Sequence, residues 1–172
     1  EIMPSLVGSE MCIRDRNTTS QNTMADRIAN TFDEAAEPAW NFAASPYRPD
    51  LVVINLGSND FSTLPHPSRD EFTAAYTRIL QTLRGAYGDE MPILCVAPRV
   101  SEPAFTYIRD LCQSAVVPNL HFAAILPGYC NDGSDLGSSA HPNYAGQRKM
   151  AMLLIPYVST LTGWEAEIKP IE

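Results

Sequence analysis

The hydrophobic positions of the chain fall into short apolar runs separated by longer stretches with helical spacing. Residues 51–56, 91–97 and 120–125 are runs too short for a helix and rich in branched apolar side chains, which predicts three buried strands. Helical patterns separate these runs. The chain is therefore predicted to fold as right-handed βαβ units around a parallel sheet.

The clearest predicted helix follows the first of these strands. Ser68 and Glu71 have the spacing of a capping box, a regular apolar face comes after them, and Gly88 provides a stop. This pattern predicts a helix between Ser68 and Gly88.

Two further helices are predicted downstream, at 102–116 and at about 143–161. Pro142 is predicted at the first helical position of the last helix, and Pro156 is predicted to kink or interrupt it. Upstream of the first strand, residues 37–49 contain several prolines and aromatic residues, and this predicts an ordered connection.

The composition narrows the class of protein. The 172 residues are 45% hydrophobic and 19% charged, as expected for one globular domain. A net charge of −8 disfavours nucleic acid or an anionic membrane as partner and is compatible with a neutral substrate such as a sugar ester. No apolar run approaches the ~18 residues of a membrane span.

The cysteines show no CxxC or Cys/His ligand spacing, so neither a metal site nor a disulfide framework is predicted. Cys95 and Cys112 fall on a predicted strand and a predicted helix, where buried free thiols are expected. Cys130 falls in a loop, where a reactive thiol and a paired thiol both remain open.

Three segments are distinguished along the chain. Residues 1–16 have no clear period and resemble a translated sequencing-adapter string, so we expect them to be non-native. Residues 17–165 form the predicted domain, and 166–172 form a tail. Because three strands are few for an open parallel sheet, we expect the first strands to be missing and this domain to be the C-terminal two-thirds of a larger one.

The first strand ends in a polar turn that is suited to chemistry. Gly57 allows a close backbone approach or a positive φ, and Asn59 can direct its side-chain amide at a substrate oxygen. In open α/β sheets, ligands bind beyond the carboxyl ends of the strands. This turn is therefore a candidate site.

A second polar segment, 132–143, follows the last predicted strand. Pro142 holds His141 in an extended conformation, which places it well for a general base. Taken alone, a capped helix start with a solvent-facing histidine explains the segment better. The catalytic interpretation gains weight because both turns follow parallel strands and are predicted at the same sheet edge.

These two segments resemble a known family. Val-Ile-Asn-Leu-Gly-Ser-Asn-Asp followed by His-Pro-Asn is similar to the third and fifth blocks of the SGNH hydrolases, also called GDSL esterases and lipases. The chain also resembles the second family of carbohydrate esterases, which deacetylate plant polysaccharides. This resemblance lies in the sequence around Trp40-Asn41-Phe42 and in the segment Leu161-Thr162-Gly163-Trp164. The resemblance implies a three-layer α/β/α sandwich with a flavodoxin-like parallel sheet.

The resemblance also implies roles for individual residues. Asn59 would donate to the oxyanion, and His141 would be the base that serves a serine nucleophile. Gly57 and Asp60 would support the turn, with Asp60 accepting backbone N–H groups. No metal or cofactor is implied. The family's Gly-Asp-Ser nucleophile block is absent from the chain, so the fragment itself is expected to be inactive.

The sequence lacks an aspartate at the position from which the family usually orients its histidine. The family usually has an aspartate two or three residues before its histidine, where this chain has Ser139 and Ser138. Asp135 or Asp132, or else a backbone carbonyl, would have to take this role. We expect a Ser–His dyad in the parent protein.

Substrate and localisation follow from the same resemblance. Tyr129 and Phe61 are candidate contacts to an acetylated carbohydrate, although core packing is favoured for Phe61. Secretion is implied. The alternatives are a non-catalytic carbohydrate-binding module on the same fold and a lipid-directed GDSL esterase; a phosphate or nucleotide binder is disfavoured because no Gly-rich phosphate loop is present.

Overall fold

The computed structural model describes residues 23–32, 35–62, 64–98, 102–126, 128–130 and 132–166. The expected non-native segment 1–16 lies outside the described residues, as does most of the predicted tail. The helices are α1 (Met24–Arg27), α2 (Arg69–Tyr87), α3 (Glu102–Gln113) and α4 (Tyr144–Thr162). The strands are β1 (Asn30–Phe32), β2 (Ala35–Ala39), β3 (Val52–Ile54), β4 (Ile93–Ala97) and β5 (Leu120–Ala124).

The three predicted strands form one parallel sheet in the order β3-β4-β5. β4 is the central strand: Val52 of β3 pairs with Ile93, and Ile93 pairs in turn with Leu120 of β5. Every residue of β4 is buried, which explains its continuous apolar sequence. The predicted α/β class and parallel pairing are confirmed.

Helices cover both faces of this sheet. Ile93 and Cys95 face a core that α2 and α3 complete, whereas Leu94 and Val96 face α4. The two cores follow from the alternation of side chains along a strand. The predicted three-layer α/β/α arrangement is therefore confirmed.

The ends of α2 and α4 can be compared with the residues that were predicted to start and stop these helices. The Ser68 hydroxyl accepts from the N–H of Glu71, the Glu71 carboxylate accepts from the N–H of Ser68, and Gly88 ends α2 at φ +83°. The prediction for Pro142 is wrong, because Asn143 is the N-cap of α4 and Pro142 precedes it. Of the two effects predicted for Pro156, an interruption is wrong, since α4 continues through this residue, and a kink stays a prediction.

The sequence did not predict the antiparallel strand pair that precedes the parallel sheet. β1 and β2 form an antiparallel pair, and part of β2 lies in the segment 37–49 that was predicted as a connection. The sequence of β2, Ala-Ala-Glu-Pro-Ala, contains no branched or aromatic residue and no alternation. Local propensity therefore gave no signal, and the pairing with β1 determines the strand.

Candidate functional site

The turn after β3 requires a glycine at one position. Gly57 has φ +111°, a region that side-chain-bearing residues rarely adopt. A Cβ at this position would lie 3.1 Å from the Phe72 ring and 3.3 Å from the Cβ of Ala104. Positive φ and close approach, the two reasons that the sequence offered for a glycine, therefore both apply.

Asn59 opens a 3₁₀ turn that spans Asn59–Phe61. Its carbonyl oxygen accepts hydrogen bonds from the N–H of Ser62 (3.2 Å) and the hydroxyl of Ser62 (2.8 Å). The side chain is half-buried and makes no hydrogen bond within the described part of the chain. The turn thus fixes the backbone of Asn59, while its side-chain amide is bound to no other described residue.

The two residues after Asn59 point mainly into the protein. Asp60 is only 4% exposed. Phe61 is half-buried, and its ring lies 5.3 Å from Phe72, 5.9 Å from Tyr107 and 5.6 Å from His66, measured between ring centroids. Packing therefore uses much of the Phe61 ring, as the sequence favoured.

Backbone hydrogen bonds define the loop that carries His141. The N–H of Gly137 donates to the carbonyl of His141 (2.8 Å), and the N–H of His141 donates to the carbonyl of Ser138 (3.0 Å). Leu136 and Pro142 form an antiparallel bridge just outside this pair. His141 is extended, with φ −74° and ψ 146°, as expected before proline, and it is exposed.

Asn143 links this loop to α4 through hydrogen bonds. Its side-chain oxygen accepts from the N–H of Gly146 (3.1 Å), and its amide donates to the carbonyls of Ser134 (2.8 Å) and Leu136 (3.2 Å). Its own N–H donates to the carbonyl of Asp135 (2.8 Å). Sequence reasoning missed this residue, although asparagine just before an apolar helical pattern is a recognised N-cap signal.

Asp135, a candidate orienting acid, is a residue of the same loop with a buried side chain and is 1% exposed. One carboxylate oxygen accepts from the ammonium of Lys149 (2.7 Å), and the other has no hydrogen-bond partner among the described residues. The hydrogen bond to Asp135 raises the pKa of Lys149 above its usual value. No hydrogen bond joins Asp135 to His141 within the described ranges, so Lys149 is the observed partner of this carboxylate.

Asp132, the other candidate acid, caps its own turn. Its carboxylate accepts from the N–H of Ser134 (2.9 Å), the hydroxyl of Ser134 and the N–H of Asp135 (3.1 Å), and lies 3.7 Å from the ammonium of Lys149. The hydroxyl of Ser134 is the main cause that lowers the pKa of Asp132. This carboxylate therefore stabilises the loop.

Tyr129 is the most exposed of the candidate substrate contacts. It follows β5, its N–H donates to the carbonyl of Leu126 (3.1 Å), and 42% of its surface is exposed. The ring is thus available to a ligand.

The sheet topology relates the two polar segments. Asn59 follows the carboxyl end of β3 and His141 follows that of β5, with β4 between the two strands. β3 and β5 are two strand spacings apart, which corresponds to about 10 Å. That the two side chains face a common cleft remains a prediction.

Other features of the surface lie apart from these residues. A groove of about 560 Å³ beside Trp40 is lined by the 39–43 segment and the end of α2, and no predicted site residue lines it. Across the described ranges, no three metal-ligating side chains cluster. None of the helices in those ranges has the length and apolar character that crossing a membrane requires.

Comparison with known proteins identifies the class. The GDSL-like lipase/acylhydrolase family matches residues 13–149. This match covers most of the chain, which therefore belongs to that family, as its third and fifth sequence blocks indicated.

Individual relatives narrow the resemblance to carbohydrate esterases. The chain is 34% identical over 134 residues to a cellulase/esterase (CelE) of Acetivibrio thermocellus, a match that covers 73% of this chain and 16% of the relative. It is 27% identical over 136 residues to an acetylxylan esterase/glucomannan deacetylase of Cellvibrio japonicus, which covers 77% and 36%. The chain thus spans about a sixth and about a third of these relatives.

Comparison with a solved structure also shows similarity to carbohydrate esterases. The fold matches a family two carbohydrate esterase from Clostridium thermocellum, solved in complex with cellohexaose, with a TM-score of 0.73 and 26% identity. The match covers 86% of this chain and 46% of that one. The predicted resemblance to the second family of carbohydrate esterases is confirmed.

Proposed function

We propose that this chain is part of a serine esterase that removes acetyl groups from carbohydrate. The observation that carries the proposal is the pair of polar turns after β3 and β5, one with the unengaged amide of Asn59 and the other with the exposed His141. Family membership and the names of the relatives support the reaction class. O-acetyl esters of plant polysaccharides are the proposed substrates, and such a substrate agrees with the expected secretion of the parent protein.

In the proposed reaction, a serine outside this chain attacks the acetyl carbonyl. His141 takes the serine proton, and the amide of Asn59 donates to the oxyanion of the tetrahedral intermediate. As the bond between the acetyl carbon and the sugar oxygen breaks, His141 protonates that oxygen, so the sugar departs as an alcohol and the serine remains acetylated. A water molecule, deprotonated by His141, releases acetate and restores the serine.

The observed contacts of Asp135 and Asp132 bear on which group orients the His141 ring. Asp135 remains a candidate because one of its oxygens has no hydrogen-bond partner within the described ranges. Its other oxygen is bound to Lys149, however, and Asp132 is engaged by its own turn. These contacts favour a Ser–His dyad in which a backbone carbonyl orients the ring.

The roles of His141 and Asn59 are testable in a chimera. Residues 23–166 would replace the matching segment of the A. thermocellus relative, whose remaining sequence would have to supply the serine, and acetate release from acetylated xylan would be measured. We expect His141→Ala to lower kcat at least about a thousand-fold and Asn59→Asp to lower it about a hundred- to a thousand-fold.

Matched control substitutions distinguish a loss of these catalytic roles from a loss of folding. His121→Ala removes a histidine at the start of β5, and Asn41→Asp preserves the acceptor that binds the N–H groups of Ala43 and Ala44. Both chimeras should remain active. A folded His141→Ala chimera with unchanged kcat would contradict the proposal.

The chain by itself is proposed to be inactive because it contains no Gly-Asp-Ser block. Purified chain mixed with para-nitrophenyl acetate should give no burst of nitrophenolate. A burst stoichiometric with the protein would show that a nucleophile is present after all. Titration with cellohexaose, followed by NMR shifts of His141 and Tyr129, tests the alternative of a binding module without catalysis.

A further inference from the structure

Two cysteines meet on the face of the sheet opposite α4. Cys95 lies in the central strand β4 and has no exposed surface, and Cys112 lies in the last turn of α3 and is half-buried. Both belong to the core that α2 and α3 form with the sheet. Neither has a role in the proposed esterase chemistry.

The sheet register brings the two thiols together. Cys95 pairs with Phe122 across the β4–β5 ladder, and the sulfur of Cys112 lies 3.9 Å from the carbonyl oxygen of the preceding residue, His121. Cys112 therefore sits above the ladder at the level of Cys95. Each thiol therefore affects the pKa of the other.

The two sulfurs differ in their readiness to ionise. The Cys112 thiol and burial together raise the pKa of Cys95, while the same contact lowers the pKa of Cys112. Since the thiolate is the nucleophile in thiol chemistry, the more exposed Cys112 is the sulfur that reacts first. Cys95, in the β4–β5 ladder that Cys112 contacts, is the sulfur that reacts second.

We propose that Cys95 and Cys112 form a redox modification site, a dithiol that a low-molecular-weight disulfide oxidises to an intramolecular disulfide joining α3 to the central strand. With oxidised glutathione, the Cys112 thiolate attacks one glutathione sulfur and expels a glutathione thiolate. The Cys95 thiolate then attacks the sulfur of Cys112 and expels the second. Two protein thiols lose two electrons and two protons, and oxidised glutathione becomes two glutathione thiols.

Cys130 provides an internal comparison because it is also buried but lies elsewhere. It follows β5, close enough to Lys149 of α4 to influence the pKa of that ammonium. It belongs to the connection between β5 and α4, and not to the core that contains the Cys95–Cys112 pair. A reaction specific to the pair should leave Cys130 unlinked.

The test uses the full chain, reduced and then incubated with oxidised glutathione. Trypsin leaves Cys95 in peptide 85–99, but Cys112 and Cys130 both fall in peptide 110–148, so the Cys130→Ser variant makes the assignment unambiguous. We expect a product lighter by two hydrogen atoms and a crosslink between these two peptides in wild type and in Cys130→Ser. Cys112→Ser should form no such crosslink.

A second readout is independent of peptide mapping. Closing the loop between the two cysteines should raise Tm by on the order of 5 °C, and dithiothreitol should reverse the shift. Wild type and Cys130→Ser should show this shift, and Cys112→Ser should not. The proposal fails if the folded chain stops at a glutathione adduct, stays reduced while urea-unfolded chain is oxidised, or links Cys130 instead.

Discussion

Gly146 lies so close to Asp135 that a Cβ on the glycine would overlap the aspartate carbonyl oxygen. The same Cβ would lie 3.0 Å from the Cβ of Pro142. The first turn of α4 therefore rests directly on the backbone of the loop that carries His141. Any side chain at position 146 would push helix and loop apart.

Gly146→Ala should destabilise the protein by about 1–3 kcal/mol, as overpacking of a tight contact does. Urea unfolding measures this change. Gly85→Ala is the matched control because Gly85 is also helical and has open space around its Cβ position. It should be neutral or stabilise α2 by up to about 1 kcal/mol. Equal midpoints for the two variants would contradict the close contact.

Asn143→Ala should loosen the His141 loop. The substitution removes the N-cap of α4 and two hydrogen bonds to loop carbonyls, and loss of a cap costs about 1 kcal/mol by itself. Hydrogen exchange of the Gly146 amide should accelerate, and the His141 ring resonances should shift. Ser68→Ala removes the equivalent cap from α2 and should leave His141 unaffected. An unchanged Gly146 exchange rate would refute the role of Asn143.

Gly57→Ala tests the conformation of the turn that presents Asn59. Alanine at φ +111° is strained, and its methyl group would press on Phe72, so the free energy of unfolding should fall by roughly 1–3 kcal/mol. Chemical denaturation with an Asn59 side-chain NMR probe follows both stability and geometry. Gly133→Ala, in open space, is the control. Similar losses in both variants would argue against a special role for Gly57.

Asp132 should contribute stability that depends on pH. Its hydrogen bonds, chiefly that from the Ser134 hydroxyl, lower its pKa below the ordinary 3.8, so the folded state binds this proton less readily than the unfolded state. The contribution is complete above the unfolded pKa and disappears as the pH falls through the folded pKa. Urea midpoints from about pH 6 to about pH 2 should therefore decline more in wild type than in Asp132→Asn.

Asp50→Asn is the matched control, because it removes an exposed carboxylate that accepts no hydrogen bond within the described ranges. Its urea midpoints should stay close to those of wild type. If the Asp132→Asn and wild-type curves run parallel through the acid range, Asp132 does not supply the pH dependence.

Much of the fold was accessible from local patterns. Continuous apolar runs located β3, β4 and β5, and the capping box of Ser68 located the start of α2. The antiparallel pair β1–β2 was not accessible, because the alanine-rich sequence of β2 has little intrinsic preference for a strand. Pro142 misled the prediction because it suits a helix start, whereas here it bridges to Leu136 and leaves the cap to Asn143.

Parts of the candidate site could likewise be predicted from the sequence, and other parts could not. The types and spacing of Gly57, Asn59 and His141 were enough to identify the family from two short motifs. They did not reveal that Lys149 binds the carboxylate of Asp135, because an ion pair between residues 14 apart depends on how a helix sits against a loop. The contact of Cys112 with the β4–β5 ladder was hidden for the same reason.

Periodicity and short motifs in the amino-acid sequence were sufficient to define the strands and helices of the parallel sheet, the sheet edge that the two polar turns follow, and the family of the chain. Which polar groups meet depends instead on the packing of distant elements. Arg84 illustrates this: its guanidinium donates to the carbonyls of Gly88, Met91, Pro118 and Asn119, groups that come together only when α2, β4 and β5 pack. Such contacts require the positions of backbone atoms far apart in the chain, which no local pattern specifies.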